Sequence, residues 1–190
     1  WSRALGLEWA LPVGSYRLEE AWRLDRAVEL AAEHGIYLMI CLDTHQDFRN
    51  AWERNPYNAA RGGPCSEPMD FFTDARAQAL YRRRLRYVVA RWGCYPNVLC
   101  WEFGNEMEGW PGAQEDRDAV AKWHAEMARA LRDMDPYGHP ITSSLWTTEG
   151  WPELWELPEM DFVQSHYYAN SMWADMAADV AGICRQKLRD

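Results

Sequence analysis

The amino-acid sequence predicts an α/β fold in which strands alternate with helices. Apolar residues recur at helical spacing in long amphipathic segments, which we predict as helices: residues 18–34, 73–92, 115–134 and 172–188. Shorter apolar runs between them are typical of buried strands: residues 36–42, 97–104, 140–146 and 161–168. Strands joined through helices pair in parallel by right-handed crossovers, so the pattern indicates an open doubly wound sheet or a closed (β/α)8 barrel.

The first helix and the strand after it are the most regular part of this pattern. The helix is expected to bury one face of small and apolar residues: Ala21, Leu24, Val28 and Ala31. Gly35 follows in the position of a left-handed C-terminal cap. Residues 36–42 form an unbroken apolar run, which predicts a strand buried on both faces. Residues 1–9 are expected to carry the end of an earlier strand.

The second helix follows a long polar segment, residues 44–72, which is rich in Asn, Pro and Gly and is predicted as a loop. Thr73 is the predicted N-cap. The inward stripe of this helix is predicted to be Tyr81, Leu85, Val88 and Trp92. The third helix is expected to bury Val120, Trp123, Met127, Leu131 and Met134. A short helix is predicted at residues 151–157, before the last strand.

Composition and charge narrow the function classes. The 190 residues suffice for one domain, and 20 Lys and Arg against 29 Asp and Glu give a net charge of −9. This balance argues against nucleic acid as a partner, because phosphate binding depends on Lys and Arg. The Arg-rich run at 82–86 is predicted as a solvated helix face. No apolar run reaches the ~20 residues of a membrane span, and no signal peptide is recognisable. The sequence indicates neither the oligomeric state nor the cellular compartment.

Polar and aromatic residues follow the predicted strands at the point where each strand ends. They are Asp43, Thr44 and His45 in the first case, Asn105 and Glu106 in the second, Trp146 in the third, and His166 and Tyr168 in the fourth. No glycine-rich phosphate loop follows a strand, which removes the main support for a nucleotide-binding open sheet. Side chains at the carboxyl ends of parallel strands form the active site of a barrel. The sequence therefore favours a (β/α)8 TIM barrel.

Glu106 is the strongest candidate for catalysis. Alternation along residues 98–106 places it on the face expected to line a barrel. Trp101 and Trp110 are expected to desolvate the carboxyl, which favours its protonated form and suits a general acid. Glu102 is excluded as its partner, because four residues at ~3.3 Å rise separate the two by ~13 Å, whereas paired catalytic carboxylates lie ~5–9.5 Å apart.

Histidine, tyrosine and tryptophan side chains complete the candidate site. His166 and Tyr168 share a strand face, where an imidazole can orient a carboxylate and a phenol can hold an anion. His166 and Tyr168 can also be interpreted as hydrogen-bonded core residues, and both interpretations apply to His45 as well. The chain has 12 Trp, and loop Trp side chains suit the apolar faces of sugar rings as well as core filling. We predict Trp110 and Trp146 as sugar-stacking platforms.

A metal site is the competing chemistry. Asp43, His45 and His166 are conceivable zinc ligands of a barrel hydrolase. However, no His-x-His pair ends the first strand, and the five cysteines lack metal-binding spacing. We therefore predict neither a metal nor another cofactor. Cys65 lies in a loop, where a disulfide stays an alternative to the free thiol that we expect.

Ordered motifs give the chain a resemblance to a known family. The segment WEFGNE at 101–106 is similar to the fourth-strand acid/base motif of clan A glycoside hydrolases, most of all family 5 with its cellulases and mannanases. The sixth-strand His-x-Tyr of that family matches His166-Tyr167-Tyr168, and its third-strand histidine matches His45. Intervening stretches such as DPYGHP at 135–140 are similar as well, so the resemblance covers essentially the whole chain.

The resemblance implies a retaining hydrolase of a β-linked glucan or mannan, so that an oligo- or polysaccharide is the expected partner. Glu106 would protonate the leaving glycosidic oxygen and later activate water. Asn105 would contact the sugar 2-hydroxyl. His166 and Tyr168 would line the cleavage subsite, with Tyr168 near the nucleophile.

The resemblance also implies an incomplete barrel. The chain matches roughly the second to sixth βα units, and the family's nucleophile follows the seventh strand, which would lie beyond Asp190. We therefore expect residues 1–190 to be one partial catalytic domain that is inactive when isolated. The alternative of a different class is a non-catalytic carbohydrate-binding barrel.

Overall fold

The first helix and the first strand are joined by a glycine-capped turn. The computed structural model describes residues 6–168 and 175–187, and its first elements are helix α1 (Leu18–Glu33) and strand β1 (Leu38–Thr44). Gly35 has a φ of +66° and confirms the predicted cap. The Ile36 N–H donates to the Ala31 carbonyl at 2.8 Å, as in a Schellman motif. The strand therefore begins two residues later than predicted, because this turn uses residues 35–37.

The segment after β1 is more ordered than the predicted loop. Helix α2 (His45–Arg49) begins at once, with the Thr44 hydroxyl accepting the Gln46 N–H. Helix α3 (Asp70–Thr73) precedes the long helix α4 (Ala75–Trp92). The cap of α4 is Asp74, whose Oδ1 accepts the Ala77 N–H at 2.8 Å, so the prediction of Thr73 is wrong. The inward stripe of α4 is confirmed, since Tyr81, Leu85, Val88 and Trp92 are buried.

Arg84 corrects the prediction that the basic run is a solvated face. It is only 6% exposed, and its Nη1 donates to Asp43 Oδ1 at 2.8 Å. Glu8 Oε2 lies 4.0 Å from the same nitrogen. The physical reason is spacing: Arg84 follows Tyr81 by three positions and precedes Val88 by four, which puts it on the buried face of α4.

A second strand–helix pair follows α4. Strand β2 (Val98–Asn105) pairs in parallel with β1, with Cys41 opposite Glu102 and Thr44 opposite Asn105. Helix α5 (Arg117–Met134) is capped by Asp116, whose Oδ1 accepts the Ala119 N–H at 3.0 Å. Its predicted inward residues are buried, except that Met134 is partly exposed.

The predicted strand at 140–146 is split into two. Strand β3 (Ile141–Thr142) pairs in parallel with β2, while β4 (Ser144–Leu145) pairs in parallel with β5 (Gln164–Ser165). The predicted strand at 161–168 is thereby reduced to two residues. The cause is side-chain hydrogen bonding, because the Ser143 and Ser144 hydroxyls accept N–H groups of the β2 end that would otherwise continue the ladder.

Two further helices complete the described structure. Helix α6 (Pro152–Trp155) is shorter than predicted, and α7 (Met176–Lys187) covers the described part of the last predicted helix. Residues 172–174 and 188 of that prediction, and residues 1–5 of the predicted earlier strand, lie outside the described residues; residues 6–9 form a turn. The helices of the described ranges are all too short or too polar to cross a membrane.

An aromatic cluster between α2, α3, α4 and α5 forms the core beside the strand ends. Phe71 contacts the rings of Phe48, Tyr81 and Trp123 at centroid distances of 4.8, 5.4 and 5.2 Å. All five cysteines lie in the described ranges and are free there, and Cys65 is buried. This core fixes the strand ends from which the candidate site is built.

Candidate active site

Three strand ends meet at the carboxylate of Glu106. The Nδ1 atom of His166, which follows β5, lies 2.8 Å from Glu106 Oε1. The Nδ1 atom of His45, which follows β1, lies 3.6 Å from Glu106 Oε2. The Tyr168 hydroxyl donates to Oε1 as well. The structure thus brings together four of the residues that the sequence predicted as a site.

The backbone at Glu106 is turned out of the strand. Its φ of 55° and ψ of 65° lie in the left-handed region, which a residue with a Cβ seldom adopts. The Glu106 N–H donates to Ser144 Oγ at 3.0 Å and holds this turn. Simple strand alternation therefore did not set the direction of Glu106; a strained turn at the end of β2 did, and such strain clusters at functional sites.

The pKa of the Glu106 carboxyl is lowered. Burial acts first and raises it, but the hydrogen bonds from Tyr168 and His166, together with the electrostatic influence of the nearby His166 and His45 rings, outweigh burial. The prediction that desolvation keeps Glu106 protonated is therefore wrong for this arrangement. The hydrogen-bond donors hold the ionised carboxylate.

Tyr168 binds the acid/base candidate itself. Its side chain reaches Glu106 although the residue is 62% exposed, and its hydroxyl oxygen lies 3.4 Å from His166 Nδ1. The hydrogen bond to Glu106 raises the pKa of Tyr168 to about 12, so the phenol stays a donor at neutral pH. Tyr168 therefore contacts Glu106, and its expected position near a nucleophile stays a prediction.

Glu102 is a second buried carboxyl below the site. It is 3% exposed, and burial raises its pKa despite hydrogen bonds from the Ser144 and Cys41 side chains. Ser144 therefore lies between two carboxyl-bearing residues, because its hydroxyl also accepts the Glu106 N–H. Sequence reasoning missed Ser144; the signal was the serine pair at 143–144, where alternation predicted an uninterrupted strand.

Glu108 has a positioning role that the sequence did not reveal. Its Oε2 accepts the Trp146 N–H at 2.9 Å and its Oε1 accepts the Thr147 N–H at 3.0 Å. The residue is buried, so both bonds are sheltered from water. A Cβ at the adjacent Gly109 would lie 2.7 Å from the His45 ring and 2.8 Å from Trp146 Cζ3. This segment thus fixes Trp146 against His45.

The two predicted platforms have different environments. Trp146 is half-buried and meets His45 edge-on, with ring centroids 5.8 Å apart, beside a depression of about 350 Å³ that Arg49 and Gln114 also line. Trp110 is 3% exposed, and its ring stacks on Phe48 at 4.0 Å. Trp110 also lines this depression, but the aromatic core covers its ring, so its role as a platform stays a prediction that its burial does not favour.

Asp43 and Asn105 flank the site in different ways. Asp43 Oδ1 is bound by Arg84, whereas His45 and His166 face Glu106, so the structure separates the three conceivable zinc ligands. Across residues 6–168 and 175–187 no group of three or more His, Cys, Asp or Glu side chains could hold a metal. The Asn105 carbonyl lies 3.3 Å from His45 Nδ1, which fixes the imidazole. Contact between the Asn105 amide and a sugar stays a prediction.

Mannanases are among the proteins to which this chain is similar. It is 29% identical over 126 residues to the mannan endo-1,4-beta-mannosidase F of Aspergillus clavatus, a match that covers 64% of this chain and 26% of that protein. It is 28% identical over 133 residues to the mannan endo-1,4-beta-mannosidase 7 of Arabidopsis thaliana, covering 64% and 30%. The matched part is thus less than a third of each of these two relatives.

A solved structure and a family model agree with these relatives. The X-ray structure of the endo-beta-1,4-mannanase from Thermotoga petrophila superposes with a TM-score of 0.62 at 20% identity, covering 86% of this chain and 43% of that one. At this identity the likeness concerns the fold, which is α/β with parallel strands. The family model for cellulases, glycosyl hydrolase family 5, matches residues 7–188. The chain therefore belongs to the cellulase family, glycosyl hydrolase family 5.

Proposed function

We propose that the protein is a retaining hydrolase of β-linked polysaccharide, with Glu106 as the acid/base. The observation that carries the proposal is the Glu106 carboxylate, held at a strand end by His166 and Tyr168 and faced by His45. Such an assembly orients one carboxyl oxygen and leaves a titratable group at the carboxyl edge of a parallel sheet. That edge is where parallel α/β enzymes of the barrel type perform their chemistry.

The proposed reaction needs Glu106 in both protonation states. In the first step Glu106 gives its proton to the glycosidic oxygen as the C1–O bond breaks, and a carboxylate nucleophile bonds to C1. In the second step Glu106 takes a proton from water, whose oxygen replaces the nucleophile at C1. The lowered pKa of Glu106 suits the second step, in which it acts as a base.

The first step also requires a second carboxylate, which acts as the nucleophile at C1. Two carboxylates ~5–5.5 Å apart repel as anions, so the nucleophile raises the pKa of its neighbour until it is consumed as an ester. We propose that this nucleophile comes from outside the described residues, in a barrel of which this chain forms about the second to sixth βα units. Asp43 and Glu108 do not compete for the role, because they bind Arg84 and the 146–147 backbone.

Mannan is the proposed backbone of the substrate. The relatives named above are mannan endo-1,4-beta-mannosidases, and a likeness of this extent makes β-1,4-mannan the first polysaccharide to test. Trp146 is half-buried, its ring lies nearly perpendicular to that of His45, and it lines the depression together with Arg49, so part of the indole is open to a ligand. We propose it as the sugar-stacking platform of this site.

The test is a substrate panel with product stereochemistry. The intact protein is incubated with β-1,4-mannan, β-1,4-glucan and an α-linked glucan, and the anomeric protons of the first products are followed by NMR. We expect mannan to be cleaved fastest and the β-anomer to form first. An α-anomer as first product would overturn retention, and binding of mannan without any cleavage would replace the hydrolase with a carbohydrate-binding protein.

A further inference from the structure

A chain of hydrogen bonds runs along α2 to the imidazole of His45. The Asn50 side-chain amide donates to Gln46 Oε1, and the Gln46 amide nitrogen lies 2.6 Å from His45 Nε2. On the other side of the ring, His45 Nδ1 lies 3.3 Å from the Asn105 carbonyl and 3.6 Å from Glu106 Oε2. Both ring nitrogens of His45 are therefore occupied.

The partners of Nδ1 determine where one proton lies. A carbonyl and a carboxylate only accept hydrogen bonds, so Nδ1 must carry a hydrogen. The side chain of His45 is 6% exposed, and an imidazolium at that burial is costly unless an anion or acceptor faces both nitrogens. At Nε2 the neighbour is an amide N–H, which needs a lone pair.

We propose that Gln46 is a positioning residue that holds His45 as the neutral imidazole with its proton on Nδ1. Asn50 supports this orientation of the Gln46 amide, because its NH₂ donates to Gln46 Oε1 and leaves the Gln46 NH₂ facing His45. The neutral ring donates toward Asn105 and Glu106 without placing a full positive charge 3.6 Å from the carboxylate. Glu106 can then regain a proton in each catalytic cycle.

Glu106 faces His45, and His166 and Tyr168 bind the same carboxylate from the β5 side. Glu108, in the segment packed against His45, has its carboxylate bound to the Trp146 and Thr147 N–H groups, and α2 itself carries Asp47 and Arg49. The other neighbours, Trp146 at the ring edge and Gly109, are uncharged. A carboxylate at position 46 would therefore be a new anion on the Nε2 side.

The direct experiment reads the histidine nitrogens. The intact protein is labelled with ¹⁵N-histidine. This chain contributes five histidines, and the signals of His45 are identified as those that disappear in His45→Gln. We expect a protonated Nδ1 and an unprotonated Nε2 at neutral pH in the parent protein. In Gln46→Glu both nitrogens should be protonated, because the new carboxylate accepts an Nε2 proton.

The matched control is Gln186→Glu, the same change at an exposed position of α7. It should leave the His45 signals as they are. A proton on Nε2 alone, or an imidazolium in the parent protein, overturns the proposal, as does a Gln46→Glu spectrum equal to that of the parent. If Gln46→Glu does not fold, the parent spectrum still decides the tautomer.

A second readout rests on the proposed function. In Gln46→Glu the imidazolium lowers the pKa of Glu106, so the alkaline limb of kcat/KM moves to lower pH by on the order of one unit. A purely structural role of Gln46 would lower the rate without moving the limb. The nitrogen spectra need no turnover, so failure of the glycosidase proposal and failure of the Gln46 proposal give different results.

Discussion

The Nδ1 atom of His166 lies 2.8 Å from Oε1 of Glu106, although the two residues are 60 positions apart in the chain. The contact depends on β4, whose parallel pairing with β5 brings His166 to the strand end. Ser144 of β4 also accepts the Glu106 N–H. One two-residue strand thus positions both partners of the hydrogen bond.

Removal of the Tyr168 hydroxyl should shift the pH profile. Tyr168 donates to the Glu106 carboxylate and lowers its pKa, so Tyr168→Phe raises that pKa. A general acid with a raised pKa stays protonated to higher pH, and we expect the alkaline limb of kcat/KM to move upward by less than about one unit. Tyr137→Phe, at an exposed tyrosine, is the control. A downward shift would contradict the assigned hydrogen bond.

A methyl group at Gly109 should disturb the site and the fold together. Its Cβ would lie 2.7 Å from the His45 ring, so the ring or the backbone must move. We expect Gly109→Ala to lower the free energy of unfolding by about 1–3 kcal/mol in urea titration. Gly182→Ala on α7, where no side chain of the described residues lies within 4 Å of the new Cβ, should lower it by much less or raise it. Equal effects of both variants would refute the packing argument.

Loss of the Glu108 carboxylate should release Trp146. Glu108→Ala leaves the N–H groups of Trp146 and Thr147 without their acceptor, at a cost of about 1–3 kcal/mol in unfolding free energy. We expect KM for polysaccharide to rise more than kcat falls, because Trp146 is the proposed platform. The exposed Glu156→Ala serves for comparison. An unchanged KM would remove Trp146 from substrate binding.

The buried ion pair of Arg84 gives a prediction on stability alone. Arg84→Met leaves Asp43 as a buried carboxyl without its cation, which costs about 3–5 kcal/mol. Arg86→Met, on the exposed side of the same helix, should change the unfolding free energy by about 0.5 kcal/mol or less. Chemical denaturation measures both. Similar values for the two variants would restore the solvated-face interpretation of the whole basic run.

The long helices could be predicted because burial alone determines their pattern. The inward stripe of α4 and the Gly35 cap follow from spacing and from the need for a left-handed residue. Arg84 was misread because charge suggested solvent, while its spacing from Tyr81 had already placed it inside. The strand at 140–146 was misread because Ser143 and Ser144 hydrogen-bond to the β2 end, which no periodicity reveals.

The sequence was enough to predict which residues form the site, but it did not predict the direction of the Glu106 pKa shift. The convergence of His45, Glu106 and His166 follows from parallel strands, whose carboxyl ends meet at one edge. The direction of the Glu106 pKa shift depends on donors from another strand, so local sequence around Glu106 suggested the opposite sign. Trp110 and Trp146 look alike in sequence, and only packing separates the core ring from the half-buried one.

Hydrolysis of β-1,4-mannan by the Glu106→Gln variant of the intact protein is the decisive test of Glu106 as the acid/base. The glutamine keeps the size of the side chain but cannot donate or accept the catalytic proton. We expect kcat/KM on mannan to fall by about 10²–10⁴-fold, and to fall much less on an aryl mannoside whose leaving group needs no protonation. The exposed Glu156→Gln should match the parent protein. Mannan hydrolysis at the parent rate in Glu106→Gln would contradict the assignment of Glu106 as the acid/base.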